Sequence, residues 1–111
     1  MAALSTHVLD VARGRPAEGI LVGLFALEEG HRRHVATART NADGRTDAPL
    51  GTDLAPGTYE LVFSVADYFE RDGTPAFYDA IPVRFTVAGD AARYHVPLLL
   101  SPWGYSTYRG S

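Results

Sequence analysis

Two segments alternate apolar and polar residues. Tyr59, Leu61, Phe63 and Val65 fall on one side, with Glu60 and Ser64 between them; Ile81, Val83, Phe85 and Val87 do the same against Arg84 and Thr86. A period of two is the pattern of a strand with one face in a core. Residues 20–27 are apolar on both faces, which predicts a strand that is central or covered on both sides. Residues 33–40 read as a more polar strand, and residues 4–11 and 93–100 as strands carrying one histidine each, His7 and His95. Gly14, Asp43-Gly44, Pro56-Gly57, Asp72-Gly73, Gly89-Asp90, Pro102 and Gly104 punctuate the chain at short intervals, as turns in a sandwich or barrel do. Residues 66–72 break the pattern: few are β-branched, and Gly73 is a stop signal, so one short helix is predicted there. There is no internal repeat or linker.

Composition narrows the class. The 111 residues are enough for a single domain, residues 1–111. A chain this short buries roughly 65% of its unfolded surface. Cysteine and lysine are both absent, and all 10 basic residues are arginine. A disulfide scaffold, a thiolate zinc site, a thiol nucleophile and a Schiff base are therefore excluded. The net charge of −3 argues against nucleic acid and anionic membranes as partners. The longest apolar run, eight residues, is far short of a membrane span. The opening MAALSTHVLD lacks the basic start and apolar run of a signal peptide, so a cytoplasmic protein is expected.

Three pieces of sequence are more specific. They are Ser5-Thr6-His7-Val8-Leu9-Asp10; Asp43-Gly44-Arg45; and Tyr94-His95-Val96-Pro97-Leu98-Leu99-Leu100-Ser101-Pro102, followed at the end by Tyr108-Arg109-Gly110-Ser111. In this order and spacing the chain resembles the 5-hydroxyisourate hydrolases, transthyretin-related enzymes of purine degradation. The resemblance covers essentially the whole chain. It implies an all-β, transthyretin-like sandwich of two four-stranded sheets with one short helix. It also implies a homotetramer, a dimer of dimers, with active sites at the dimer–dimer interface. Neither a cofactor nor a metal is implied.

The implied reaction opens a ring amide of 5-hydroxyisourate with water, giving 2-oxo-4-hydroxy-4-carboxy-5-ureidoimidazoline. This needs an activated water, a proton route to the leaving nitrogen, and a cation for the developing oxyanion. His7 and His95 are the acid/base candidates, because imidazole titrates near neutrality; which is base and which is acid stays open. Strand parity sets His95 with Pro97 and Leu99, opposite the apolar Tyr94, Val96, Leu98 and Leu100, so His95 is expected to point out of the sandwich. The resemblance assigns Arg45 to catalysis and substrate binding, where a planar fork of donors suits a planar heterocycle. It assigns Tyr108, Arg109 and Ser111 to the wall of the substrate site, although such a tail would ordinarily fray. A Ser-His-Asp triad drawn from Ser5 or Ser111 and Asp10 is the less economical route, since no nucleophile elbow is present. Asp10 is expected to hold a turn or a salt bridge.

The cluster His31-Arg32-Arg33-His34 is read as an exposed hairpin with mixed charge rather than a metal site. Trp103, Tyr105 and Tyr108 make an aromatic end suited to interface packing. A non-enzymatic transthyretin-like small-ligand carrier or interaction module, with the histidines merely structural, is the alternative reading.

Overall fold

The computed structural model describes residues 2–111. The alternating segments become β6 (Gly57–Ser64) and β7 (Ala80–Val87), which pair with each other. They continue a sheet of order β4-β3-β6-β7, antiparallel throughout, with β3 at Leu21–Glu28 and β4 at His31–Arg39. The second sheet contains β1 (Ala2–Asp10), β2 (Arg15–Pro16), β8 (Arg93–Ser101) and β9 (Gly104–Thr107) in the order β2-β1-β8-β9, with β5 (Gly51–Leu54) also on β1. β1 and β8 run parallel. The inner faces interlock through Leu4, Val8, Val22, Leu24, Leu61, Phe63, Ile81 and Leu98, all at most 1% exposed.

The second sheet has a fifth strand beyond the expected four because nine-residue β1 offers a long outer edge. β5 takes its start, pairing Ala2 and Leu4, and β2 takes its end, pairing Leu9 and Asp10. The middle of that edge is left for a loop, and the candidate site grows from this gap.

Three boundaries differ from the sequence reading. His31–His34 lies within β4 and not in a hairpin connection: Glu28 pairs with His31, and the turn is Glu29-Gly30, with Gly30 at φ 79°. β4 is an edge strand whose side chains meet solvent, so its polar composition disguised it. The first strand ends at Asp10, since Val11 has entered a turn and is 53% exposed. The helix α1 is Ala66–Glu70, and Gly73 closes the turn after it at φ 69°, its N–H on the Glu70 carbonyl. β3 is central as expected, but only Val22, Leu24 and Ala26 are buried. On its outer face the Arg32 guanidinium lies 4.1 Å over the Phe25 ring.

Asp10 holds the turn. Its carboxylate is 1% exposed and accepts from the Arg13 backbone N–H at 3.0 Å and the Tyr68 hydroxyl at 2.7 Å, tying β1 to α1. A buried carboxylate persists only when its oxygens are satisfied in this way.

Candidate active site

β1 alternates strictly: Leu4, Thr6 and Val8 face the core, while Ser5, His7 and Leu9 face out. On parallel β8, His95 and Leu99 share the outward face. The register sets Ser5 beside His95 and His7 beside Pro97, so both imidazoles stand on one surface, two positions apart on neighbouring strands. The Ser5 hydroxyl lies 2.8 Å from His95 Nδ1. That contact fixes the ring and leaves Nε2 for chemistry.

Arg45 arrives through the gap on the β1 edge. Asn41 builds the loop that carries it: its side-chain oxygen accepts the N–H of Asp43 at 2.9 Å and of Arg45 at 3.2 Å, and its own N–H reaches the Arg45 carbonyl at 2.7 Å. The loop docks through the Val8 N–H to the Gly44 carbonyl at 2.8 Å, and Arg45 bridges to His7. Gly44 is required here. It sits at φ 76°, and a Cβ would collide with the Val8 carbonyl and crowd His7.

The tail closes the opposite side. The Gly110 N–H donates to the His95 carbonyl at 2.7 Å, so Ser111 follows directly beside the histidine strand. A Cβ on Gly110 would sit 2.6 Å from His95 Cδ2, so glycine alone lets the tail lie against the imidazole. Tyr108 is 56% exposed. Arg109 turns to the other side of β8, where its guanidinium is 4.5 Å over the Tyr94 ring and 3.9 Å from Asp90. Within one chain, then, His7, His95, Arg45 and the Gly110–Ser111 backbone come together, and the Arg109 guanidinium does not join them.

Electrostatics prepare the imidazoles. Burial, and secondly the Arg45 charge, hold His7 below its ordinary value of 6.5. The same two causes, then His7 itself, hold His95 down. Both shifts favour the neutral ring, the form able to accept a proton. A recess of about 210 Å³ between Ser5, Thr6 and the segment from Arg45 to Pro49 opens beside them. Among the described residues no three His, Asp or Glu side chains gather as metal ligands.

Sequence reasoning did not find Asn41 or the ring-fixing role of Ser5. Both had a signal: Ser5 shares parity with His7, and an Asn two residues before Asp-Gly is an Asx-turn former.

The architecture is a β-sandwich that presents an outward pair of histidines with an arginine on one sheet face. The chain belongs to the HIUase/Transthyretin family, whose model matches residues 4–110. It is 54% identical over 114 residues to 5-hydroxyisourate hydrolase 2 of Rhizobium meliloti, covering 97% of this chain and 95% of that one. The structure of Klebsiella pneumoniae 5-hydroxyisourate hydrolase superposes with a TM-score of 0.87 at 38% identity, covering both chains entirely. Sea bream transthyretin in complex with thyroxine superposes with 0.91 at 26% identity, covering 98% of this chain and 95% of that one. The transthyretin-like sandwich is thus the fold of this chain.

Proposed function

We propose that this single-domain chain hydrolyses 5-hydroxyisourate to 2-oxo-4-hydroxy-4-carboxy-5-ureidoimidazoline in urate degradation. The convergence of His7, His95 and Arg45 on one outward surface carries the reading, and full-length similarity to hydrolases of that substrate supports it. One neutral imidazole takes a proton from water as its oxygen attacks the ring carbonyl carbon. Arg45 donates to the resulting oxyanion. As the intermediate collapses, the C–N bond breaks, an imidazolium returns the proton to the leaving nitrogen, and the new carboxylic acid loses its remaining proton to solvent to give a carboxylate. Arg45 also binds the substrate, and Ser111 contributes its hydroxyl at the tail.

We infer further that the site is completed in a homotetramer, a dimer of dimers. The His7/His95 surface is an open sheet face, and β7 and β9 are unpaired edges. Arg109 is engaged by Asp90 and Tyr94 on the far side of β8, so Tyr108 and Arg109 would serve the substrate wall across a subunit boundary. The setting we infer is the cytoplasm. No helix among the described residues is long and apolar enough to cross a membrane.

Urate oxidase generating 5-hydroxyisourate in the cuvette provides the test. Added protein is expected to accelerate the decay of its ultraviolet absorbance. No acceleration at micromolar protein overturns the hydrolase reading and favours a carrier.

A further inference from the structure

An arginine-lined concavity lies apart from the recess beside the histidines, although its lining residues Pro16 and Ala42 adjoin the loop that carries Arg45. It is a cleft of about 620 Å³ between the β2 segment, the end of β4 and α1, and four of the ten arginines line it: Arg13, Arg15, Arg39 and Arg71. We propose that this cleft binds a small multivalent phosphate anion, as a site separate from the hydrolytic one.

The guanidiniums there are held but largely uncompensated. Arg71 Nη2 donates to the Glu18 carbonyl at 2.9 Å, and Arg39 Nη1 to the Gly19 carbonyl at 3.1 Å. A neutral carbonyl fixes an arginine without cancelling its charge, and each fork keeps further N–H donors. Arg15 has no ion pair among the described residues. Only Arg13 is compensated, by Asp72 and more distantly by Asp10. The acids lining the cleft are Glu18 and Asp72 alone, so the cleft is locally positive in a chain whose net charge is −3.

The cleft is also built. The Tyr68 ring is 8% exposed and flanked by Arg13 at 5.9 Å and Arg71 at 5.3 Å, which gives both a rigid support. Gly19, at φ 84°, lets Arg71 lie against the backbone, where a Cβ would be 2.6 Å from Nη1. Planar forks in fixed positions match phosphate oxygens bidentately. A phosphate group carries about −1.5 to −2 at pH 7, which answers several free guanidiniums better than a single carboxylate. The volume exceeds one phosphate, so the chemistry is that of a diphosphate, free or borne on a nucleoside.

Calorimetric titration of the wild-type protein at constant ionic strength tests this, with inorganic diphosphate in one arm and adenosine diphosphate in the other. Saturable binding at one site per chain, with Kd below about 1 mM, is expected in at least one arm. Tighter binding of the nucleotide identifies a nucleoside-borne group, and equal or weaker binding identifies the free anion. R15Q/R39Q, and separately R71Q, are expected to weaken binding about tenfold or more. R15Q/R39Q is expected to keep its melting temperature and its hydrolytic turnover, since neither side chain lines the recess beside the histidines. No saturable binding in either arm, or equal binding by wild type and both folded variants, overturns the proposal.

Discussion

His7 and His95 are lowered by burial and by Arg45, and the sign of that shift fixes the acid limb of the reaction. A base works when unprotonated, so kcat/KM is expected to fall as pH drops through a value below 6.5 and to be flat at neutrality. In Arg45→Gln the coulombic cause is removed, so the limb is expected to move up toward 6.5, along with a loss of rate. A pH–rate series on both proteins decides it; an unmoved limb separates Arg45 from the histidines. Arg45→Lys keeps the charge but loses the fork, and a drop in kcat/KM of about 10²-fold is expected, in the range of one lost oxyanion donor. Stability follows the same sign. The unfolded chain takes up these protons first, so the contribution of the two histidines is present above 6.5 and lost as pH falls. At this scale the sequence was legible where parity speaks. Alternation alone set His95 outward, and Asp10 was rightly assigned to a turn. Arg45 was not legible from pattern. A residue after Asp-Gly gains meaning only when the loop fills an edge gap some 40 positions away in sequence.

Among the elements, those that fill the core declared themselves and those that pair at edges did not. β6 and β7 alternate because one face of each meets the opposing sheet. β2, β5 and β9 have two to four residues each, too few for a period, and they exist because longer strands offer them hydrogen bonds. The two site loops are equally non-local, and each depends on a glycine. Gly44→Ala combines a positive φ with a collision at the Val8 carbonyl. It is expected to cost about 1–3 kcal/mol of stability and, by shifting the docked loop, to lower kcat/KM as well. Gly110→Ala meets the His95 side chain, with no backbone atom among its three nearest neighbours. It is expected to leave the melting temperature nearly unchanged while reducing turnover at least tenfold. Thermal melts beside steady-state rates separate the two cases, and equal effects on stability would undo the distinction. Deleting residues 108–111 should abolish turnover with the sandwich intact by circular dichroism.

The whole molecule measures 40 × 30 × 20 Å, and a sandwich of that size fills its interior with side chains. It has little room for a deep pocket, and its histidines consequently stand on a sheet face. The other exposed features gather on one flank. β7 and β9 are each one open edge of their sheet, and together with the tail they border a recess of about 300 Å³. Of the five large apolar side chains most exposed, Phe77, Trp103, Tyr105 and Tyr108 belong to the β8–β9 hairpin, the tail and the loop before β7, and only Val11 lies elsewhere. Unpaired edges flanked by exposed aromatics are surfaces that soluble chains cover. If that flank forms the first contact and the histidine face the second, sedimentation should give a mass four times the 12.0 kDa of the chain. Activity per chain should then fall on dilution in step with loss of that mass, because in the proposed assembly Tyr108 and Arg109 serve the substrate wall across a boundary. A monomer with full turnover would instead make the isolated histidine face sufficient, and would require Arg109 to leave Asp90 and Tyr94 during the reaction.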